Sequence, residues 1–422
     1  MKNNNIAVVG LGYVGLPLAV LLSSKFNVKG FDINKERIDE LNNFNDSTLE
    51  ISSEKLRESF IKNLSLTQNL EKIKDCNIYI ITVPTPINKD KTPNLKPLLN
   101  ASKSIGSILS VDDIVIYEST VFPGCTEEKC VPVLETESKL KFNTDFYCGY
   151  SPERINPGDK KHTIDKIVKV TSGSTPETAN KVDKIYASVI SAGTHKASSI
   201  KIAEAAKVIE NAQRDINIAF VNELAKIFNK MNIDTHEVLN AASTKWNFLN
   251  FKPGLVGGHC IGVDPYYLAD KSIKLGYKPN IILSGRKLND EMGDYVADKL
   301  ISILKSKNKY IEKTKILILG VTFKENCPDF RNTKVIDIIK RLKHFNMDVE
   351  AYDPWVNKDL FEREYNLKIT KNITNKKYNA IILAVSHSEF KNLDIDKLKL
   401  NNQTIVYDLK GFFETKKVTN RL

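Results

Sequence analysis

Short apolar runs alternate with longer mixed segments in the first half of the chain, a pattern typical of parallel α/β folds. The runs cover residues 6–9, 28–31, 78–83, 114–117 and 147–150. They are rich in Val, Ile and Tyr, and several end in Asp, Glu, Ser or Thr, so each predicts a buried strand. The stretch that follows the first run has the apolar character of a buried helix. Residues 1–197 are therefore expected to form a Rossmann-like, doubly wound domain.

In the middle of the chain the spacing of the apolar residues becomes that of a helix. It predicts one long helix over about residues 198–231, more helix to about 245, and further helices to about 305. Lys207, Asn211 and Arg214 are spaced i, i+4, i+7 and share one face of the long helix. Two interpretations fit them: a solvent-facing stripe, or a cleft in which Lys207 and Asn211 hold developing negative charge. Residues 198–308 are predicted to be a small helical domain.

From residue 315 the first pattern starts again. Apolar runs at 316–320, 349–353, 380–385 and 404–408 echo four of the earlier runs in order. They predict a second Rossmann-like domain over 309–422, so that the long helix and the small helical domain join two doubly wound domains. Its first turn, residues 320–324, lacks the later glycines and should not bind a dinucleotide in the same way. Lys324 and Arg331 either bind phosphates of a second nucleotide there or are surface charges.

The first turn of the chain reads Gly-Leu-Gly-Tyr-Val-Gly over residues 10–15 and lies between a predicted strand and a predicted helix. In that context the glycines allow the backbone to approach a pyrophosphate, and the helix N-terminus stabilises its charge. Asp32 ends the second run, about 20 residues on, where an acid can hold the ribose hydroxyls. Because this acid would repel a 2′-phosphate, the sequence favours NAD over NADP. Arg37 complicates that preference, although it could equally lie along the adenosine.

Polar residues follow three of the predicted strands. Thr85 and Thr120 come after the runs at 78–83 and 114–117, and Glu153 lies in a proline-rich loop after 147–150. Ligands of open parallel sheets gather at the carboxyl ends of strands, so these residues are candidates for cofactor binding or catalysis. The alternatives are that the threonines cap turns and that Glu153 lies in a surface turn.

A glycine-rich stretch over residues 254–265 contains Cys260. Asp264-Pro265 reads as a helix N-cap followed by the first helical residue, which puts Cys260 just before a helix start. The partial positive charge there favours the thiolate, the nucleophilic form of the side chain. The alternatives are that Cys260 is a small packed residue and that Asp264 is only a cap.

Composition narrows the function classes. The 422 residues carry 62 Lys and Arg against 51 Asp and Glu, a formal charge of +11. The basic residues are dispersed, so nucleic-acid binding is not expected, whereas a small polyanionic ligand is. The six cysteines form no CxxC pair, so neither a metal site nor a disulfide framework is predicted, and a cytoplasmic location follows. Residues 6–22 could mimic a signal peptide, but their glycine pattern and short length predict no targeting or membrane segment.

Six ordered motifs carry a resemblance to a known family. They are Gly-Leu-Gly-Tyr-Val-Gly-Leu-Pro at 10–17, Ser151-Pro152-Glu153, Lys207 with Glu210-Asn211, Gly257-Gly258-His259-Cys260, Phe323-Lys324, and Asp329-Phe330-Arg331. Over essentially its whole length the chain resembles the UDP-glucose/GDP-mannose dehydrogenase family. Residues 151–159, 245–248 and 263–268 look most like the branch of bacterial surface-polysaccharide synthesis that oxidises UDP-N-acetylglucosamine or UDP-N-acetylgalactosamine.

The resemblance implies a four-electron oxidation of the sugar C6 alcohol to a carboxylate, with two NAD consumed. Cys260 would attack the C6 aldehyde, and the thiohemiacetal would be oxidised to a thioester that water hydrolyses. Lys207 and Asn211 would stabilise oxyanions. Asp264 and Thr120 would position water, and Glu153 would act as general acid and base.

It also implies binding residues. The NAD set is Gly10, Gly12, Tyr13, Val14, Gly15, Asp32, Arg37, Thr85, Thr120 and Arg331. The UDP-sugar set is Glu153, Arg154, Ile155, Asn156, Lys207, Asn211, Gly257 and Lys324. To these we add Lys252 as a diphosphate contact, on its position and charge rather than on the resemblance. Some relatives carry a second glutamate where this chain has Pro157, so Glu153 would act without that neighbour.

Other interpretations are kept. The substrate could be UDP-glucose or GDP-mannose, which room for an N-acetyl group around residues 246–252 would decide. The chain could also be a catalytically silent nucleotide-sugar-binding protein, although such a protein has no need for the complete set of Cys260, Lys207, Asn211, Asp264 and Glu153. A homodimer or higher homo-oligomer formed through the long helix is expected.

Overall fold

The apolar runs of the first half form parallel strands, as predicted. The computed structural model describes residues 4–155, 161–307 and 312–422. By compactness the chain divides into two units, Met1–Glu210 with Tyr266–Tyr277, and Asn211–Pro265 with Lys278–Leu422. We describe each by itself.

The first unit contains a six-stranded parallel sheet. Its strands are β1 (Asn5–Val9), β2 (Asn27–Phe31), β3 (Leu64–Thr67), β4 (Ile78–Ile81), β5 (Ile114–Tyr117) and β6 (Tyr147–Tyr150). They lie in the order β3-β2-β1-β4-β5-β6, and Ile6 pairs with Val28 on one side and with Ile78 on the other. This is the Rossmann order, in which the direction of strand addition reverses beside β1, and ligands bind outside the carboxyl ends at that point. A separate pair of strands, β7 (Lys169–Thr171) and β8 (Thr194–Lys196), is also parallel.

Helices cover this sheet and bury its apolar strands. They are α1 (Gly15–Leu22), α2 (Lys35–Asn42), α3 (Ser53–Lys62), α4 (Lys96–Gly106), α5 (Val131–Ser138) and α6 (Pro176–Ala187). The side chains of Asn34, Ser52 and Thr175 cap the N-termini of α2, α3 and α6, whereas α1 starts without a side-chain cap. An uncapped start is notable at α1, because it follows the glycine-rich turn.

The middle of the chain is helical. Its helices are α7 (Ile200–Met231), α8 (Thr235–Ala242), α9 (Asp264–Lys274), α10 (Asn280–Asp290) and α11 (Met292–Ser306). The predicted long helix is confirmed, with a start two residues later than expected. The division between the two units falls inside α7, after Glu210. Among the helices of the described ranges, none is both long and apolar enough to cross a bilayer.

The second unit contains a parallel sheet of five strands. They are β9 (Lys315–Leu319), β10 (Asp348–Tyr352), β11 (Ala380–Leu383), β12 (Ile405–Asp408) and β13 (Asn420–Arg421), in the order β10-β9-β11-β12-β13. Helices α12 (Val335–His344) and α13 (Lys358–Tyr365) complete the α/β pattern. The repeat predicted from the sequence is confirmed by β9 to β12. Beside β10, a single bridge between Ala351 and Ile369 stands where β3 stands in the first sheet.

The sequence-based strands differ from the structure at their ends. The runs predicted over 78–83 and 380–385 end as strands at Ile81 and Leu383, where their pairing with the neighbouring strands stops. Strands β3, β7, β8 and β13 were not predicted. Strands β7, β8 and β13 have two or three residues, and β3 alternates Leu with Ser and Thr, so none forms a recognisable apolar run.

Candidate active site

The glycine-rich turn in the first unit is closed so tightly that only glycine fits at two positions. Gly10 has φ +96°, and a Cβ on Gly15 would lie 1.8 Å from the carbonyl oxygen of Gly10. The Thr82 hydroxyl donates to that carbonyl at 2.7 Å. A Cβ on Gly12 would meet nothing within 4 Å, so this side of the turn is open. The open side and the uncapped start of α1 after Val14 suit a pyrophosphate, which would be held by backbone N–H groups.

Asp32 is attached to the same turn. Its Oδ2 accepts from the Leu11 N–H at 2.8 Å, and its Oδ1 accepts from the Asn34 N–H at 2.9 Å. This places a carboxylate beside the glycines at the carboxyl end of β2. The arrangement fits an acid that receives ribose hydroxyls.

Arg37 is engaged by protein groups. Its Nε donates to the Leu11 carbonyl at 2.8 Å, one terminal nitrogen pairs with Asp46 at 2.9 Å, and the other pairs with Glu40. The side chain is 10% exposed. These bonds occupy the guanidinium and favour a role in holding the turn over one in binding a 2′-phosphate.

The two predicted threonines follow neighbouring strands. Thr85 comes after β4 and Thr120 after β5, and both are half-buried. Tyr13 and Val14, in the glycine-rich turn, are half-buried as well. The carboxyl ends of β1, β4 and β5 are adjacent in the sheet, so the predicted cofactor residues of the first unit lie along one edge.

Glu153 does not lie in a surface turn. Its side chain is 6% exposed, and its Oε2 accepts from the ammonium of Lys169 at 2.7 Å. Its Oε1 accepts from the backbone N–H groups of Arg154 and Ile155 at 2.6 and 2.9 Å. Lys169 also pairs with Glu118 at 2.8 Å. Neither Lys169 nor Glu118 was predicted from the sequence.

The residues after Glu153 are also bound by protein groups. The Arg154 guanidinium pairs with Glu210 at 2.8 Å and donates to the Val168 carbonyl at 2.9 Å. Ile155 packs against the apolar core of the first unit. Asn156, predicted to contact substrate, lies outside the described residues.

The polar stripe of α7 is not uniform. Lys207 is 7% exposed, Asn211 is half-buried and Arg214 is exposed. The interpretation of a solvent-facing stripe is therefore wrong for Lys207 and correct for Arg214. Asn211 donates from its Nδ2 to Oδ2 of Asp264 at 2.5 Å.

Helix α9 begins at Asp264 itself. The prediction that Asp264 is an N-cap before the helix is thus off by one residue, because the turn that ends at Asp264 is already helical. The carbonyl oxygen of Cys260 accepts from the N–H groups of Val263 and Asp264 at 3.0 and 2.8 Å. Cys260 therefore lies one turn ahead of α9, near the positive end of the helix dipole.

Cys260 is exposed, whereas the other five cysteines are buried. The alternative that it is a packed residue is wrong. Its neighbour His259 is not a cationic partner at neutral pH. Burial, together with the nearby Arg331, lowers the pKa of His259 to about 4, which Asp329 counteracts only in part. Helix α9, rather than an imidazolium, thus provides positive partial charge near this thiol.

The cysteine loop, residues 254–263, is held at both ends of its glycine-rich part. At its start, Asn222 binds the backbone of Gly254. Further on, Gly258 has φ +81°, and a Cβ there would lie 2.8 Å from the ring of Phe323. A Cβ on Gly257 would lie 2.7 Å from the carbonyl oxygen of Asn332. The glycines thus allow the loop to approach residues 323–332 closely, which was the backbone reason suspected from the sequence.

The charged residues of that neighbouring segment differ in their surroundings. Arg331 forms two hydrogen bonds with Asp329, at 2.9 and 2.6 Å, and stays about half exposed. The Lys324 ammonium lies over the ring of Phe323, 5.8 Å from its centroid. Lys252 is exposed, just before the cysteine loop.

A buried polar pair supports the loop that carries Lys324. Asp353 accepts from the Val321 N–H at 2.6 Å, and the Nδ1 of fully buried His387 accepts from the Asn326 N–H at 3.0 Å. The two side chains also contact each other, with Nε2 of His387 3.0 Å from Oδ2 of Asp353. Because Nδ1 is an acceptor, Nε2 carries the proton and donates to Asp353. Sequence reasoning missed this pair, for which no short motif gives a signal.

The Rossmann order, the glycine-rich turn and Asp32 define a dinucleotide-binding oxidoreductase. The chain belongs to the UDP-glucose/GDP-mannose dehydrogenase family. Residues 4–190 match the NAD binding domain of that family, residues 201–291 its central domain, and residues 317–415 its UDP binding domain. The protein is thus an NAD-dependent nucleotide-sugar dehydrogenase, and the predicted fold class, family and cofactor are confirmed.

Relatives refine the comparison. The chain is 56% identical to a UDP-N-acetyl-D-glucosamine 6-dehydrogenase of Pseudomonas aeruginosa, with all of both chains covered. It is 56% identical to a UDP-N-acetyl-D-glucosamine 6-dehydrogenase of Salmonella typhi, over 96% of this chain and 95% of the relative. Among solved structures, a UDP-D-ManNAc dehydrogenase from Pyrococcus horikoshii matches with a TM-score of 0.87 and 29% identity, over 99% of this chain and 98% of that one. The first two belong to the branch predicted from the sequence.

Proposed function

We propose that the protein oxidises the C6 hydroxyl of a UDP-N-acetylhexosamine, UDP-GlcNAc or UDP-GalNAc, to the uronic acid with two NAD. The observation that carries the proposal is the setting of Cys260, an exposed thiol one turn ahead of α9 on a loop anchored through its glycines. The names of the two relatives at 56% identity support the choice of sugar.

A nucleophilic thiol explains how one site completes two oxidations. The first oxidation gives an aldehyde, which the Cys260 thiolate attacks to form a thiohemiacetal. The second gives a thioester, and water hydrolyses it to the carboxylate and the free thiol. Covalent capture keeps the aldehyde from escaping between the two steps. NAD, when bound, accepts one hydride in each oxidation.

Other side chains receive the remaining roles. Lys207 and Asn211 stabilise the oxyanions that form at C6. Asp264, which accepts the hydrogen bond of Asn211, positions water together with Thr120. Glu153 acts as general acid and base in thioester hydrolysis, and the orientation of both its oxygens supports this role.

The binding roles follow the chemistry of the ligands. The turn at Gly10, Gly12 and Gly15 takes the pyrophosphate of NAD, Asp32 takes the adenosine ribose, and further contacts come from Tyr13, Val14, Arg37, Thr85, Thr120 and Arg331. The UDP-sugar is bound by Gly257 and the lysines Lys252 and Lys324, and by the segment from Glu153 to Asn156. Both sets remain predictions.

The organisation of the protein is proposed on similar grounds. We keep the division into an NAD-binding domain (1–197), a helical domain (198–308) and a UDP-sugar-binding domain (309–422), which the ranges of the three family matches support. Exposed apolar side chains on α7, Phe220 and Ile227 among them, support a homodimer or larger homo-oligomer. A cytoplasmic location suits an enzyme that uses NAD and carries a reactive thiol.

The test is NADH production by the purified protein with UDP-GlcNAc, UDP-GalNAc, UDP-glucose and GDP-mannose in parallel. We expect two NADH per UDP-N-acetylhexosamine, lost in Cys260→Ala and kept in Cys327→Ala, which removes a buried cysteine instead. Turnover of UDP-glucose or GDP-mannose alone would refute the substrate choice and keep the chemistry. NAD binding without turnover of any of the four would favour a silent nucleotide-sugar-binding protein.

A further inference from the structure

Four buried side chains of the first unit form a charged cluster, which we name the Lys169 cluster. The Lys169 ammonium lies 2.7 Å from Oε2 of Glu153 and 2.8 Å from Oε2 of Glu118. The other oxygen of Glu118 accepts from the hydroxyl of Tyr186. The exposed fractions of the Lys169, Glu118 and Glu153 side chains are 2%, 0% and 6%.

The cluster joins elements that are distant in the sequence. Glu118 directly follows β5, Glu153 follows β6, Lys169 opens β7, and Tyr186 lies in α6. Hydrogen bonds between these elements hold them in place. The Ser151 hydroxyl donates to the Val170 carbonyl at 2.8 Å. The N–H of Tyr150 also donates to the carbonyl of Ser172, at 3.3 Å. The cluster is thus attached to the end of the strand that leads to Glu153.

A contribution to folding stability does not explain why the charged groups of the Lys169 cluster are buried. Buried ion pairs commonly contribute little relative to apolar residues of the same size, and here two carboxylates share one ammonium. Burial raises the pKa of Glu118 to about 7; nearby Glu153 also raises it, and Lys169 counteracts both. Burial alone would lower the pKa of Lys169, but the two carboxylates outweigh burial and raise it. The lysine is therefore cationic at neutral pH and lies between two carboxyl groups.

We propose that Lys169 and Glu118 are positioning residues that keep the Glu153 carboxylate oriented and ready to accept a proton during thioester hydrolysis. This inference rests on the proposed role of Glu153. Oε1 is fixed by two backbone N–H groups and Oε2 by the ammonium, so both oxygens of the carboxyl group are held in one orientation.

The second carboxylate explains how Glu153 can change charge inside a buried site. In hydrolysis, a water oxygen bonds to the thioester carbon while its proton passes to Glu153. The C–S bond then breaks, the Cys260 sulfur leaves as the thiolate, and Glu153 gives up its proton to water. While Glu153 is neutral, the Lys169 ammonium remains paired with Glu118, so the buried cation is never left without a partner.

The inference predicts opposite effects of two substitutions on the pH dependence of hydrolysis. Lys169→Met leaves the carboxylates of Glu118 and Glu153 buried side by side, which favours protonation of Glu153. The fall in hydrolysis rate on the acidic side of the pH–rate profile, which we call the acid limb, therefore moves to higher pH. Glu118→Gln leaves the ammonium to Glu153 alone, which favours ionisation and moves the acid limb to lower pH. Tyr186, whose hydroxyl donates to Glu118, and the ion pair of Arg154 with Glu210 are unchanged in both variants.

The experiment follows acid-quenched single turnovers across pH 5–9 in the full-length protein, with the sugar linked to Cys260 measured by mass spectrometry. In Lys169→Met we expect the acid limb to rise by about one pH unit, a tenfold loss of rate on the limb, with Lys169→Arg within about threefold of wild type. In Glu118→Gln we expect the acid limb to move to lower pH. The inference would be overturned if the acid limb stays in place in Lys169→Met and Glu118→Gln, or moves in the same direction in both. If Lys169→Met does not fold, Glu118→Gln and Lys169→Arg still decide it.

Glu153→Gln separates this inference from the function on which it rests. We expect this variant to accumulate the thioester after normal hydride transfer. Hydrolysis at the wild-type rate in Glu153→Gln would remove the proposed role of Glu153 itself. A defect in Glu153→Gln with unshifted limbs in the other variants would refute only the positioning role.

Discussion

Asn222 binds Gly254 through both polar groups of its backbone: the Gly254 N–H donates to Oδ1 of Asn222 at 2.8 Å, and Nδ2 of Asn222 donates to the Gly254 carbonyl at 3.0 Å. Nδ2 also donates to the Asn289 side chain at 2.8 Å. Asn289 in turn bonds Asp215, which pairs with Arg286. A fully buried network on α7 and α10 therefore anchors the start of the loop that carries Cys260.

Asn222→Ala should loosen that loop. It leaves the N–H and carbonyl of Gly254 buried without their partner, at a cost of about 1–3 kcal/mol for each group. We expect a lower midpoint of thermal unfolding and a fall in kcat of tenfold or more, because Cys260 is no longer held in place. Asn217→Ala is the matched control, since Asn217 lies on the same helix and bonds only locally, to the Gln213 carbonyl at 2.7 Å, among the contacts of the described residues. Equal effects of both substitutions would show that Asn222 has no special relation to the loop.

Gly258 is a second support of Cys260, and its substitution tests close packing. Gly258→Ala would cost about 1–2 kcal/mol for a positive φ. Its methyl group would also meet the Phe323 ring at 2.8 Å. We expect kcat to fall at least tenfold. Gly276 has φ +85° but open space around it, so Gly276→Ala should reduce stability and leave kcat unchanged. A similar kcat in the two variants would contradict the close approach of the loop to Phe323.

The parts of the site that could be predicted are those whose signal lies in a short stretch of the sequence. The glycine turn at Gly10 and the sequence around Cys260 each indicate a backbone requirement through neighbouring residues. Five strands of the first sheet and four of the second are apolar runs. Asp32 was predictable because its distance from the glycines is set by one strand–helix–strand unit.

Lys169, Thr82 and Asn222 could not be predicted, because their partners lie far along the chain. Lys169 opens a strand of three residues that was not predicted from the sequence, and a lysine is usually exposed to solvent. The structure covers that face with the residues after β5 and β6, so the lysine is buried against two acids. Periodicity tells which residues share a face of a strand, not what covers that face.

Asp32 should set the preference for NAD. Asp32→Asn keeps an oxygen for the Leu11 N–H but loses the charge that binds ribose hydroxyls. Hydrogen bonds to charged groups contribute about 1.5–3 kcal/mol, so we expect KM for NAD to rise about tenfold or more with little change in kcat. NADP should stay a poor substrate, because Arg37 is engaged by Leu11, Glu40 and Asp46. The control is Asp39→Asn, an exposed acid on α2. Equal use of NADP and NAD by Asp32→Asn would show that Arg37 is available to a 2′-phosphate.

Glu204, on α7, should make the stability of the protein depend on pH. The carboxyl group is fully buried and accepts from the N–H groups of Gly124 and Thr126 at 2.5 and 2.9 Å. Burial raises its pKa from 4.5 to about 7, against the opposing effect of these hydrogen bonds. The folded protein therefore keeps a proton that the unfolded chain releases near pH 4.5. Its contribution to the free energy of unfolding is full below pH 4.5 and is lost as the pH rises to about 7.

Glu204→Gln removes this ionisation. The contribution of Glu204 to the pH dependence of the free energy of unfolding, up to about 3 kcal/mol between pH 4.5 and 7, should therefore disappear. Glu118 acts in the same direction and is untouched, since its raised pKa is also about 7. The decline in the thermal midpoint between pH 5 and pH 8 should therefore become smaller in Glu204→Gln without vanishing. Glu237→Gln, at an exposed position on α8, is the control and should decline as wild type does. A Glu204→Gln protein whose midpoint falls as steeply as that of wild type would mean that Glu204 is ionised in the folded protein throughout this range, with the Gly124 and Thr126 N–H groups sufficient to stabilise its charge.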